Sequence, residues 1–209
     1  MLGITFGSKH SYNNWGVILE DTTVTPPQPK RYLVDVPARN GLLDLTPELT
    51  PIIRYGNRTV TYKFRVKSGD WDDLLSGIYA DVHGQTLDVT SDLDANWHWH
   101  GCVTVNSFAS DKRTGVLVIT VDAEPFKLAN TATSVQRSGN GSLSCTCDRM
   151  EVTPTITNSA QATIVFGDVS VTLSAGTHIV NEIVFTSGTN TLNITSTGTT
   201  KVTYTNGRL

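Results

Sequence analysis

The sequence is short of charge: only 17% of its 209 residues are Asp, Glu, Lys or Arg, and the formal net charge is −3. It therefore has no basic field that would draw in nucleic acid or anionic lipid. Long apolar runs are also missing, since no stretch approaches the roughly 20 residues that a membrane span needs. The opening "MLGITFGSKHSYNNWG" lacks a charged start followed by an apolar run. No signal peptide is expected, and the chain should be made in a cytosol. The three cysteines are an odd number and give no disulfide framework. Cys145 and Cys147 in "SCTCD" would share one face of a strand. A zinc site would want two more soft ligands at a fixed spacing, and there is no second pair, so both read as small buried residues.

What the chain does have is 17 glycines and many Thr and Ser residues, the composition of a β-rich protein with many turns. "RTVTYKFRV" (58–66) alternates strictly, with Val60, Tyr62, Phe64 and Val66 on one face. That pattern is a half-buried antiparallel strand. "GDWDDLLSGIYADVHG" places Trp71, Leu74, Leu75, Ile78, Tyr79 and Val82 at helical spacing, so one amphipathic helix should pack on a sheet. Asp70 suits its start, Asp72 and Asp73 its positive dipole end, and Gly84 its finish. Neighbouring carboxylates on a helix point about 100° apart, so Asp72 and Asp73 are read as helix-start residues, not as an acid–base pair. "GVLVITV" (115–121) reads as the most buried strand, and "TVTPPQPK" (23–30) as a connection.

The composition changes near residue 130. From 151 to 209, Ser and Thr supply 20 of 59 residues, while charge falls to Glu151, Asp168, Glu182, Lys201 and Arg208. The short runs "ATIVFGD", "VSVTLSAG", "HIVNEIVF", "NTLNITS" and "KVTYTNG" are divided by turn residues, which predicts a small all-β sandwich. The chain is thus expected to be mainly β. Residues 1–130 should form a β-sandwich-like domain with one packed helix, and residues 131–209 a second, smaller β-sandwich.

"DANWHWHGCVTV" (94–105) could signal a metal site. In a strand, Trp97, Trp99, Gly101, Val103 and Val105 share one side and His98, His100, Cys102 and Thr104 the other. Two histidines about 6–7 Å apart on one face can chelate an ion, but a catalytic site needs a further ligand and an open position. His10, His83 and His178 stand singly, with no HExxH or CxxC context. The stretch is read as a structural strand with its histidines turned away from the core or towards a partner subunit. A metal-dependent hydrolase using His98 and His100 is the alternative. No catalytic residue, metal or cofactor is expected.

Several phrases in order resemble the distal tail (Dit) proteins of long, non-contractile-tailed bacteriophages and their prophages. They are "SYNNWGVIL" (11–19), "PPQPKRYLVDVPARNGLLDLT" (26–46), "YGNRTVTYKFRV" (55–66), "ADVHGQ" (80–85), "DANWHWHGCVTV" (94–105) and "VDAEPFK" (121–127). "CDRMEVTPTIT" (147–157) and the closing "GTNTLNITSTGTTKVTYTNGRL" (188–209) extend the resemblance through the family's galectin-like C-terminal sandwich. At "NWHWHG" family members tend to carry tyrosines, which suit the same strand.

The resemblance implies a structural virion protein at the tail tip, synthesised in the bacterial host's cytoplasm. It would form a homohexameric ring, single or paired back to back in solution. The ring would join the tail tube to the tail-associated lysin or adhesion hub, carry receptor-binding proteins and let DNA pass through its bore. The N-terminal domain would build the ring and the C-terminal sandwich would project. A six-fold ring uses a heterologous interface, and the candidate joint in this chain is the loop Pro37, Arg39, Asn40, Gly41, Leu42, Leu43 and Asp44. Pro37 and Gly41 would shape it, Arg39 and Asp44 could pair across the joint, and Leu42, Leu43 and Leu45 would supply apolar area. The same leucines could instead be the edge of the local core. A rival reading is a carbohydrate-binding module. All four tryptophans lie in the first half, however, and residues 131–209 offer only Phe166, Phe185 and Tyr204 as platforms.

Overall fold

The alternation of residues 58–66 sets up the sheet that organises the first half of the molecule. The computed structural model describes residues 1–209 apart from Pro51, Ser68, Asp70 and Lys112. The chain divides into two compact units, Met1–Pro125 and Phe126–Leu209. The first contains β1 (Ile4–Phe6), β2 (Lys9–His10), α1 (Ser11–Trp15), β3 (Ile18–Val24), β4 (Leu33–Val34), β5 (Leu43–Asp44) and α2 (Thr46–Leu49). It continues with β6 (Arg58–Lys67), α3 (Trp71–Val82), β7 (Thr86–Ser91), β8 (Trp97–Ser110) and β9 (Thr114–Ala123). Its main sheet is antiparallel and runs in the order β2-β1-β7-β8-β9-β6-β3.

β6 buries Val60, Tyr62, Phe64 and Val66, as its period requires. Phe6 from β1 meets Trp15 and Tyr62 at ring separations of 5.7 Å each and Phe64 at 6.3 Å. α3 adds Ile78 and Val82 to this core, with Trp71, Leu74 and Leu75 packed against it. Tyr79 departs from the expected face. One position on from Ile78 it has rotated to the helix rim, where it is exposed and stacks edge-on against His83 at 5.2 Å. Gly84, at φ 74°, ends the helix in the left-handed conformation that glycine tolerates. The expected cap, Asp70, lies outside the described residues. β9 buries Leu117, Ile119 and Val121 fully and half-buries Val116 and Val118. The strand β3 runs on through Thr23 and Val24, so the expected connection begins two residues later than "TVTPPQPK" suggested.

α1 and α2 go beyond the single helix expected, because one turn is too short to show a 3.6-residue period. α1 is capped by a side chain outside the usual Ser, Thr, Asp and Asn set. His10 Nδ1 accepts the backbone N–H groups of Tyr12 at 3.2 Å and Asn13 at 3.1 Å, while Nε2 lies 3.0 Å from Asp92. With Nδ1 accepting, the ring proton sits on Nε2 and donates to that carboxylate. Trp15 Nε1–H donates to Asp81 on α3 at 3.0 Å, and Lys9 reaches the same carboxyl at 3.0 Å. Those two contacts, Trp15 first, hold the Asp81 carboxyl below its ordinary range.

The second unit contains β10 (Lys127–Ala129), β11 (Thr133–Ser138), β12 (Gly141–Cys147), β13 (Thr155–Asn158) and β14 (Ala162–Phe166). They are followed by β15 (Val169–Leu173), β16 (Gly176–Ile179), β17 (Gly188–Ser196), β18 (Thr199–Tyr204) and β19 (Gly207–Arg208). Two four-stranded sheets, β11-β18-β13-β16 and β12-β17-β14-β15, enclose Leu143, Cys145, Ile156, Ile164, Phe185, Leu192, Val202 and Tyr204. Hydroxyl pairs tie neighbouring strands together: Ser138 with Thr199 at 2.9 Å, Thr157 with Thr177 at 3.1 Å and Thr163 with Thr172 at 2.9 Å. "HIVNEIVF" is not one strand. β16 stops at Ile179, Asn181 and Glu182 face solvent in a turn, and Val180, Ile183 and Phe185 drop into the core.

Cys145 and Cys147 lie on the buried face of β12. Burial pushes the Cys145 thiol up to about 11 and raises Cys147 as well. Iodoacetamide at pH 8 is expected to modify Cys102 alone in the native protein, and all three cysteines after unfolding. Intact-mass spectrometry counts the adducts, and native labelling of Cys145 would contradict the packing.

An exposed apolar arm as candidate assembly surface

Between β3 and β6 the chain leaves the main sheet for residues 25–57. Pro26, Pro27, Pro29, Pro37 and Pro47 withhold backbone donors there, so the segment cannot supply a central strand. It pairs with itself instead. Gly56 N–H donates to Gln28 O at 2.9 Å, Lys30 N–H to Arg54 O at 2.7 Å and Leu45 N–H to Tyr32 O at 2.9 Å. Further out, β4 pairs with β5, Leu33 opposite Asp44 and Val34 opposite Leu43. The result is an arm.

Its outer loop is built on a type II turn, with Arg39 N–H donating to Val36 O at 3.1 Å. Pro37 takes the second position and Ala38, at φ 65°, the third, where glycine is normal. A side chain in the left-handed region costs about 1–2 kcal/mol. Gly41 follows at φ 76°.

Asp44 does not wait for Arg39. One of its oxygens accepts Arg31 Nε at 3.1 Å and Nη2 at 2.5 Å, and the other accepts Thr46 N–H at 3.0 Å. Within the chain Asp44 is thus held by Arg31, two residues before its cross-strand partner Leu33. The Thr46 hydroxyl, then Arg31, hold the Asp44 carboxyl down at about 2. A depressed carboxylate stabilises the fold above its unfolded pKa of about 3.9. That contribution is lost as pH falls through the folded value. The Thr46 amide resonance is expected to titrate with a midpoint of about 2. A midpoint near the unfolded value would contradict the clasp.

Tyr32, Leu33, Leu42, Leu49, Ile52 and Ile53 are each between 38% and 66% exposed. None of the described residues of 25–57 belongs to the core cluster; Leu43 and Leu45 are half-buried but stand outside it. This exposed apolar excursion is the candidate interaction surface. Sequence reading singled out Leu42 and Leu43 but passed over Tyr32, Leu49, Ile52 and Ile53. The available signal was a run of hydrophobic residues that obeys neither the strand nor the helix period and is punctuated by prolines.

The histidine strand takes the expected parity. Trp99, Gly101, Val103 and Val105 are buried, and His98, His100 and Cys102 occupy the opposite face of β8. Sequence reading missed their neighbour. Asp88, paired with His100 across β7–β8, places Oδ1 2.7 Å from His100 Nδ1 and 3.7 Å from His98 Nε2. Among the described residues, no group of three or more His, Cys, Asp or Glu side chains is arranged to hold a metal ion. Beneath the strand, the Arg58 guanidinium stacks 4.9 Å from the Trp99 ring, and burial lowers its pKa. In the second unit, one cleft is lined by Cys147, Asp148, Arg149, Ser187, Arg208 and Leu209. Another, lined by Asn140, Gln161, Thr163, Thr172, Thr195, Ser196 and Thr197, likewise presents no aromatic platform for a sugar. Among the described residues, no helix is long and apolar enough to cross a membrane.

No family model matches the sequence, and no curated protein does. Among solved structures, the SPP1 Dit (gp 19.1) protein aligns over 100% of both chains with a TM-score of 0.73 and 10% sequence identity. The chain has the Dit fold. SPP1 Dit is described as a paradigm of the hub adsorption apparatus in phages that infect Gram-positive bacteria. At 10% identity the likeness is one of fold.

Proposed function

We propose that this chain is a structural protein of a phage tail's distal end, working through shape and not through catalysis. Two things support the reading: the Dit fold spans the whole chain, and the arm presents apolar area that its own core does not use. The second observation carries it, because a fold by itself assigns no function. In this reading residues 1–130 build a six-membered ring, with Pro37, Arg39, Asn40, Gly41, Leu42, Leu43 and Asp44 in the joint, and residues 131–209 project as the second β-sandwich. The tail tube lies on one side and the lysin or adhesion hub on the other, with receptor-binding proteins mounted around the ring.

A net charge of −3 suits a bore through which DNA passes without sticking. The test is negative-stain imaging of the purified chain together with its solution mass. Six-membered rings, single or paired, are the expected result. A strict monomer at every concentration tried would overturn the ring.

A further inference from the structure

Arg58 is buried and charged, yet holds no anion. It opens β6 on the same face as Val60 and Tyr62, and only 6% of it is exposed. Its cross-strand partner in β9 is Ala123, whose own partner in β8 is Gly101. Residues this small leave room for the arginine to lie across the sheet. It reaches Trp99, two positions before Gly101, with 4.9 Å between the guanidinium carbon and the ring centroid.

Among the described residues no carboxylate forms an ion pair with Arg58, and its enclosed Nε–H has no acceptor. Burial alone moves its pKa, where a neighbouring carboxylate would act in the opposite sense. Lys9, Arg31 and Arg65 are all more accessible, and each has a carboxylate within the chain: Asp81, Asp44 and Glu20. The cation that has lost most of its water is the one left without a counter-ion. A tryptophan face compensates part of that loss, and a carboxylate ordinarily supplies the remainder. A guanidinium offers a carboxylate two parallel N–H groups, a geometry that chloride cannot match. With so little of the residue accessible, the anion must arrive on a slender carrier. An Asp or Glu side chain is one; a phosphodiester backbone is not.

We propose that Arg58, laid over Trp99, is a receiving site for a carboxylate carried by a neighbouring polypeptide of the assembly. That the carrier is a neighbour rests on the assembly reading above; that the site takes a carboxylate does not. The probe is acetate, exchanged for chloride on the full-length chain at pH 7 and constant ionic strength. Arg58→Met keeps an apolar stem on Trp99 and drops the charge, so in chloride it should melt no lower than the unaltered chain. In acetate the melting temperature of the unaltered chain is expected to rise by about 2–4 °C more than that of Arg58→Met. The Arg58 Nε–H resonance, which needs no variant, should shift saturably with acetate and not with chloride. Equal acetate responses in the two chains with a motionless Nε–H signal would overturn the site. So would an Arg58→Met chain that melts well below the unaltered one in chloride, since the charge would then be satisfied within the chain.

Assembly separates the possible carriers. Folded Arg58→Met chains that self-associate at least about tenfold more weakly place the carboxylate on a second copy. Unchanged association, with the acetate response present, places it on another component of the tail. An unaltered chain that stays monomeric would overturn the ring and leave the acetate response to decide the site.

Discussion

Exchanging Leu42 and Leu43 for Asp is expected to yield a folded chain that no longer assembles. Leu42 is 54% exposed and Leu43 is half-buried opposite Val34 in the arm hairpin. Neither belongs to the core cluster, so the fold loses little. At a joint the arithmetic is different. Each leucine buried there contributes about 1.5–3 kcal/mol. A carboxylate enclosed without a partner adds a desolvation cost of its own. Two such positions weaken each contact by on the order of 5 kcal/mol, a factor of several thousand in affinity. Mass photometry should show only monomers, and the melting temperature should stay within a few degrees of the unaltered protein. Assembly at the normal concentration would place the joint elsewhere.

Gly101→Val is expected to be the most damaging single change to the first unit. Gly101 lies in β8 opposite Ala123, and a Cβ built on it would fall 2.3 Å from Asp122 O and 2.6 Å from Ala123 Cα. Both contacts are with the backbone of β9, which cannot swing aside as a side chain would. Overpacking a core position costs about 1–3 kcal/mol, and a clash with backbone belongs at or above the top of that range, on the order of 3 kcal/mol. Urea unfolding followed by tryptophan fluorescence would register the loss. A variant within about 0.5 kcal/mol of the parent, inside the range of ordinary surface substitutions, would show that β8 and β9 do not approach so closely.

These two sites differ in how far the sequence discloses them. The alternation of Val60, Tyr62, Phe64 and Val66 and the helical spacing of Ile78 and Val82 are local periodicities, and both convert directly into buried faces. The order of phrases resembling Dit proteins is likewise matched by a fold shared along the whole chain. The arm has no period to read. Its hydrophobic residues serve no internal face, and its pairing joins residues such as Lys30 and Arg54 that are far apart in sequence. Asp88 was hidden from a reading of residues 94–105 for the same reason: its place beside His100 is set by strand register, not by sequence proximity. The break within "HIVNEIVF" depends on Val180, Ile183 and Phe185 finding a core already built by other strands.

Salt has little to screen in the second unit. Its neighbouring strands are laced by hydroxyl pairs such as Ser138–Thr199 and Thr163–Thr172, and its residues 126–209 carry nine charged side chains, only five of them in 151–209. Coulombic terms, the part of stability that ionic strength erodes, contribute little to such a body. The stability of this unit should therefore change little between dilute water and brine.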